Sequence, residues 1–95
     1  MTLLETTYRQ LHSIGLVTCA EAFSRDYLGK NSNWFAYQKH TRRDYSVGAA
    51  IQCLRSIRSK QHSNDLSKAQ LVALQRIEQH LIAHLNIQYC VADVR

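Results

Sequence analysis

Residues 30 to 43 of this 95-residue chain read Lys-Asn-Ser-Asn-Trp-Phe-Ala-Tyr-Gln-Lys-His-Thr-Arg-Arg, and their side-chain types define the chemistry open to the protein. Lys30, Asn31, Ser32, Asn33, Trp34, Tyr37, Lys39, Arg42 and Arg43 are cations, amides, hydroxyls and aromatics with a polar edge. Such groups pair with phosphate oxygens and with the polar edges of bases. A carboxamide offers the donor and acceptor that match adenine in the major groove, so Asn33 is the best candidate for reading a base. Trp34, the single tryptophan, has two readings. It can lie against thymine methyls or sugars, or it can complete a core beside Phe35. Arg42 and Arg43 form a basic loop suited to gripping a phosphate backbone.

Bond-making chemistry finds little support. No paired carboxylates, no Gly-rich phosphate loop and no nucleophile with an evident base stand in the sequence. His80 and His84 lie at i, i+4, with Cys90 beyond, yet no Cys-x-x-Cys or His-Glu-x-x-His completes a zinc set. The chain is expected not to be an enzyme and to carry no metal or cofactor. Three scattered cysteines, Cys19, Cys53 and Cys90, do not make a disulfide framework. A reducing cytoplasm is the expected compartment. There is no charged start followed by an apolar run, and no apolar stretch of roughly 18 residues, so no secretory signal and no membrane span are expected.

Charge points to the same segment as the side-chain types. Residues 21 to 60 hold eight cations against three anions, while the remainder holds four of each. The whole net charge of +5 thus falls on one segment, the footprint of a nucleic-acid module or, more plainly, of a solvated basic face.

These side chains must be positioned by helices. There is no proline and there are only three glycines, so the chain is expected to be all-α, a compact five-helix domain with a long C-terminal helix. Thr2 to Glu5 has the form of a capping box, and Leu4, Tyr8, Leu11 and Ile14 follow at helical spacing until Gly15. Thr18 to Glu21 is a second capping box, preceded by Leu16 and Val17 as a hydrophobic staple and followed by Ala22, Phe23, Tyr27 and Leu28. Gly29 makes a tight turn, because glycine takes positive φ without steric cost. A short helix is predicted from about Ser32 to Thr41, with Phe35 and Gln38 facing inward. Ser46 caps a fourth helix whose stripe is Val47, Ala50, Ile51, Leu54 and Ile57, with Arg55 and Arg58 outside. Residues 60 to 64 are a polar linker, and the third capping box, Ser67 to Gln70, opens a helix reaching about residue 91.

Leu-Gly at 28 and 29, the polar residues after it, inward Phe35, the pair Arg42-Arg43, and Ser46 opening a helix with Val47, Ala50, Ile51 and Leu54 together resemble Cro/repressor-like helix-turn-helix domains. The resemblance covers about residues 17 to 57. It implies a sequence-specific, repressor-like regulator of double-stranded DNA whose recognition helix enters the major groove. Ser32, Asn33, Trp34 and Tyr37 would then read bases, with Asn31 beside them. Phosphates would be held by Lys30, Lys39, Arg42, Arg43 and the start of the second helix at Thr18, although Thr18 can serve as a cap alone.

The apolar residues of the last helix spread over a broad face, with Leu71, Leu74, Leu81 and Leu85 along it. Residues 1 to 60 are therefore taken as the DNA-binding part and 61 to 95 as a dimerising helix. A two-fold homodimer would suit a palindromic site. The bland alternative is a terminal helix folded against its own chain. The rival function is a small helical adaptor or inhibitor that sets its basic face on an acidic protein partner.

Overall fold

The computed structural model describes residues 1–89, so Cys90 lies outside the described residues. Five helices follow one another with no strand among the described residues: α1 (Leu3–Ser13), α2 (Ala20–Asp26), α3 (Trp34–His40), α4 (Val47–Lys60) and α5 (Lys68–Tyr89).

The helix ends account for most of the local architecture. Thr2 caps α1 by accepting the Glu5 amide at 3.2 Å, and Ser46 caps α4 by accepting that of Ala49 at 3.2 Å. At α5 the box closes in both directions: the Gln70 amide donates to Ser67 Oγ at 3.1 Å, and the Ser67 amide donates to Gln70 Oε1 at 2.9 Å. The second box does not form. Cys19, extended at φ −156°, is the cap residue of α2 and makes no side-chain cap bond, while exposed Thr18 reaches only the Cys19 sulfur at 4.0 Å. The helix begins one residue later than the pattern predicts, which takes Thr18 away from the free amides.

Gly15, at φ +77°, ends α1 with its amide on His12 O and the Leu16 amide on Leu11 O. That is the paired bonding of a Schellman turn. Gly29, at φ +64°, makes the bend between α2 and α3, where an added Cβ would stand 3.0 Å from Gln52 Cγ.

One continuous core joins all five helices. Tyr8 of α1, Phe23 of α2 and Phe35 of α3 stack together, with ring centroids 4.8 Å apart for Tyr8–Phe35 and 5.1 Å for Phe23–Phe35. Leu4 and Leu11 meet Ile57 and the α5 residues Leu74, Ile77, Leu81 and Leu85 in the same cluster. This corrects the interchain role assigned to Leu74, Leu81 and Leu85. All three are fully buried in their own chain, and Leu71 is half-buried, so this face of α5 serves its own core. The broad apolar face is filled because α1 and α4 both pack against it.

The stripe of α4 is also displaced. Val47, in the first turn and at one edge of the arc, is 42% exposed, whereas Ala49 and Cys53 are fully buried. Burial pushes the Cys53 thiol up to about 12 even though Tyr45 Oη donates to it at 3.4 Å. At neutral pH it is an unreactive, space-filling group.

Arg58, expected on the outer face, is instead paired. Its Nε donates to Glu78 Oε2 at 2.8 Å, and Gln61 Nε2 donates to the other carboxylate oxygen at 2.8 Å, clamping α4 to α5. The hydrogen bond from Gln61, then that from Arg58, holds the Glu78 carboxyl below its ordinary value. The folded state therefore favours the ionised form. Its contribution is present above the unfolded carboxylate value of about 4.3 and is lost as pH falls through that value towards the lower folded one. Glu78→Gln is expected to cost about 1 kcal/mol at neutral pH, with Arg58 partly screened by solvent. Urea denaturation of both proteins should show that gap closing below about pH 4; a gap independent of pH would reject the clamp.

Candidate nucleic-acid interface

Two buried side chains turn α3 so that its polar face looks outward. Phe35 is 2% exposed and Gln38 is 7% exposed, three residues apart on the inner face. Gln38 Nε2 donates to the backbone oxygen of Asp44 at 3.0 Å, which ties the helix to the loop that follows. The sequence pattern placed both side chains inward, and both are there.

The start of α3 is tied to α2 by Ser24. This fully buried hydroxyl donates to Ala20 O at 3.1 Å and accepts the Phe35 amide at 3.0 Å. A free amide of α3 is thereby satisfied by the preceding helix, fixing how the two helices meet. Ser24→Ala leaves the Phe35 amide buried without an acceptor and should cost about 1–2 kcal/mol. Thermal melting would measure it, and a change below about 0.5 kcal/mol would mean that the tie is dispensable.

With α3 so held, Asn33, Ala36, Tyr37, Lys39 and His40 are exposed, and Tyr37 is 57% exposed. Asn31 and Asn33 form the entry to the helix, the Asn33 amide donating to Asn31 Oδ1 at 3.0 Å. The Asn31 oxygen is thus occupied within the turn, whereas the Asn33 side chain makes no cap bond to its own helix. Ser32 and Trp34 are half-buried. Trp34 packs partly on the core, with Lys30 Nζ 5.7 Å from its ring centroid, so it helps to complete the core as one reading expected while part of its ring stays open to solvent.

Beyond α3 the loop turns on Arg42. Its φ of +57° is left-handed, and it is the single non-glycine residue with positive φ among the described residues. Its amide bonds Lys39 O at 3.1 Å and the Arg43 amide bonds Gln38 O at 2.8 Å. This repeats the turn at Gly15 with an arginine in the glycine position. Arg42 and Arg43 are exposed, and Arg42 and Lys39 line one shallow depression with Met1, Thr2 and Glu5.

Asp44 had no role in the sequence reading beyond its charge, yet it anchors the loop. Its carboxylate accepts the Leu3 amide at 3.1 Å, the Leu4 amide at 3.0 Å and its own neighbour's, that of Tyr45, at 2.8 Å. The basic loop is thereby fastened to the start of α1, where the helix dipole favours an anion. The predicted contacts Lys30, Asn31, Ser32, Asn33, Trp34, Tyr37, Lys39, Arg42 and Arg43 thus form a contiguous segment over α3 and its two flanking turns. Thr18 stands apart in sequence, ahead of α2.

Comparison with known proteins adds one match. The profile of a family of unknown function (DUF6626) covers residues 4–95. No curated protein and no solved structure matches the chain.

Proposed function

We propose that this chain, which belongs to the DUF6626 family of unknown function, binds double-stranded DNA as a helix-turn-helix regulator, with α2 and α3 as the two helices and α3 entering the major groove. The observation that carries the reading is the outward face of α3 and its loop. Asn33, Tyr37, Lys39, Arg42 and Arg43 are exposed together, on a helix whose inner face is pinned by Phe35 and Gln38. Asn33 and Tyr37 read base edges in this scheme, and Lys39, Arg42 and Arg43 hold phosphates. Lys30, laid over Trp34, completes the basic rim at the other end of the helix.

A homodimer would present two copies of α3 to a two-fold site. With Leu74, Leu81 and Leu85 taken up by the core, the surface for it is the outer side of α5, where Val72 is 48% exposed and Ile87 76% exposed.

The test is selection from random double-stranded DNA by the purified protein at two salt concentrations, followed by sequencing of the retained pool. An inverted repeat with half-sites about 10 base pairs apart is the expected product. Retention that vanishes with salt and enriches no sequence would reject base reading. It would favour an acidic protein partner for the basic face.

A further inference from the structure

A second concave surface lies at the junction of α2 and α4 with the turn after α4. This groove of about 690 Å³ is lined by Leu16, Asp26, Tyr27, Gln52, Arg55, Ser56, Ser59, Lys60, His62 and Ser63. Its size falls in the range of small-molecule sites. Its lining is unusual for a drug-like pocket, because hydroxyls, an amide and cationic or imidazole groups outnumber the apolar residues. Arg55 and His62 are exposed and Lys60 is half-buried, so their charged or polar ends are free to meet a ligand. Asp26 is the single carboxylate against them.

The remaining polar groups are already organised. Ser56 Oγ lies 2.9 Å from Gln52 O and 3.1 Å from Tyr27 O, either of which can accept its proton, and 3.5 Å from Gln52 Nε2, which can donate to it. Tyr27 Oη donates to Leu16 O at 3.2 Å, which fixes the groove's floor. Ser63 Oγ accepts the Asp65 amide at 3.3 Å and keeps its own proton to donate, and Ser59 and Ser63 flank Lys60 and His62 along the chain.

We infer that this groove binds a small phosphorylated polyol of sugar-phosphate size: Arg55 and Lys60 hold the phosphate, and Ser59, Ser63 and Gln52 meet the hydroxyls. Arg55 and Lys60 both line the groove, and a guanidinium with an ammonium suits a dianionic phosphate. Polar groups make up about half of the lining, enough to meet several hydroxyls of a polyol. The groove adjoins the bend at Gly29 through Gln52 and the end of α2 through Ser56. Binding itself involves none of the residues of the α3 face, so it stands or falls without any DNA activity.

The experiment is an NMR titration of the intact 15N-labelled chain with glucose 6-phosphate, with inorganic phosphate and glucose as parallel probes. Saturable shifts confined to residues 52–63 and the end of α2 are expected with glucose 6-phosphate. The double variant Arg55→Ala/Lys60→Ala should weaken them by about tenfold or more, and Asp26→Asn should tighten binding by removing the opposing charge. The variant spectra report whether each protein is folded. Absence of saturation up to about 10 mM would overturn the site. So would shifts spread equally over α3, or inorganic phosphate binding as tightly as the sugar phosphate.

Discussion

Asp44→Ala should be the most damaging single polar substitution in the chain, lowering stability by about 2–3 kcal/mol. The carboxylate accepts three amides, those of Leu3, Leu4 and Tyr45, at 2.8–3.1 Å. Two of them belong to the first turn of α1, where no intrahelical acceptor exists. Hydrogen bonds to a charged group contribute about 1.5–3 kcal/mol each, but Asp44 is only half-buried, so water recovers part of the loss. Against a total stability of about 5–15 kcal/mol the effect is large. Asp44→Asn keeps one acceptor oxygen and loses the charge, so it should cost about half as much. Urea denaturation measures both. Amide exchange should place the damage in the first turn of α1 and in the 42–45 loop. A loss below about 0.5 kcal/mol for the alanine variant would show that water replaces the carboxylate fully.

Asp44 also shows where the sequence ceased to be informative. The helices were legible because each depends on nearby residues. Thr2, Ser46 and the Ser67–Gln70 pair cap their own helices three residues on, and Gly15 and Gly29 mark the bends. Inward Phe35 and Gln38 followed from their spacing on a short helix. Asp44 instead meets partners about 40 residues away in sequence, for which no local pattern exists. Ser24 meets Phe35 across a turn, and a serine on the inner face of a helix gives no hint of which amide it will satisfy. Thr18 failed for a subtler reason, since Cys19 takes the extended conformation of the cap and the threonine falls one place short. The burial of Leu74, Leu81 and Leu85 in their own chain was not legible because a broad apolar face reads the same whether the covering surface comes from α1 and α4 or from a second chain. The groove at Arg55 and Lys60 was invisible because the stretch from Lys60 onward looks like an ordinary polar linker until α2 is brought beside it.

Arg42→Gly should act in opposite directions on stability and on DNA affinity. A left-handed backbone costs an L residue about 1 kcal/mol, and the turn at Gly15 shows the same bonding made without that cost. Glycine at 42 would relieve the strain, less the extra freedom it gives the unfolded chain, for a net gain of up to about 0.5 kcal/mol. Strain retained at an exposed position is explained if the side chain has work that glycine cannot do. Under the DNA reading that work is a phosphate contact. Removing it should weaken binding about equally for all sequences and reduce the slope of log affinity against log salt by about 0.9. Adding Arg43→Ala should bring the reduction to about 1.8 and the loss to about tenfold per contact near 0.1 M salt, with fold stability unchanged by the second substitution. Asn33→Ala should do the reverse, altering sequence preference while leaving the salt slope intact. The decisive comparison is Arg42→Gly alone, measured by melting and by a salt series on the selected DNA. A more stable protein that binds DNA as tightly, with an unchanged slope, would remove Arg42 from the interface and leave its backbone strain without a function.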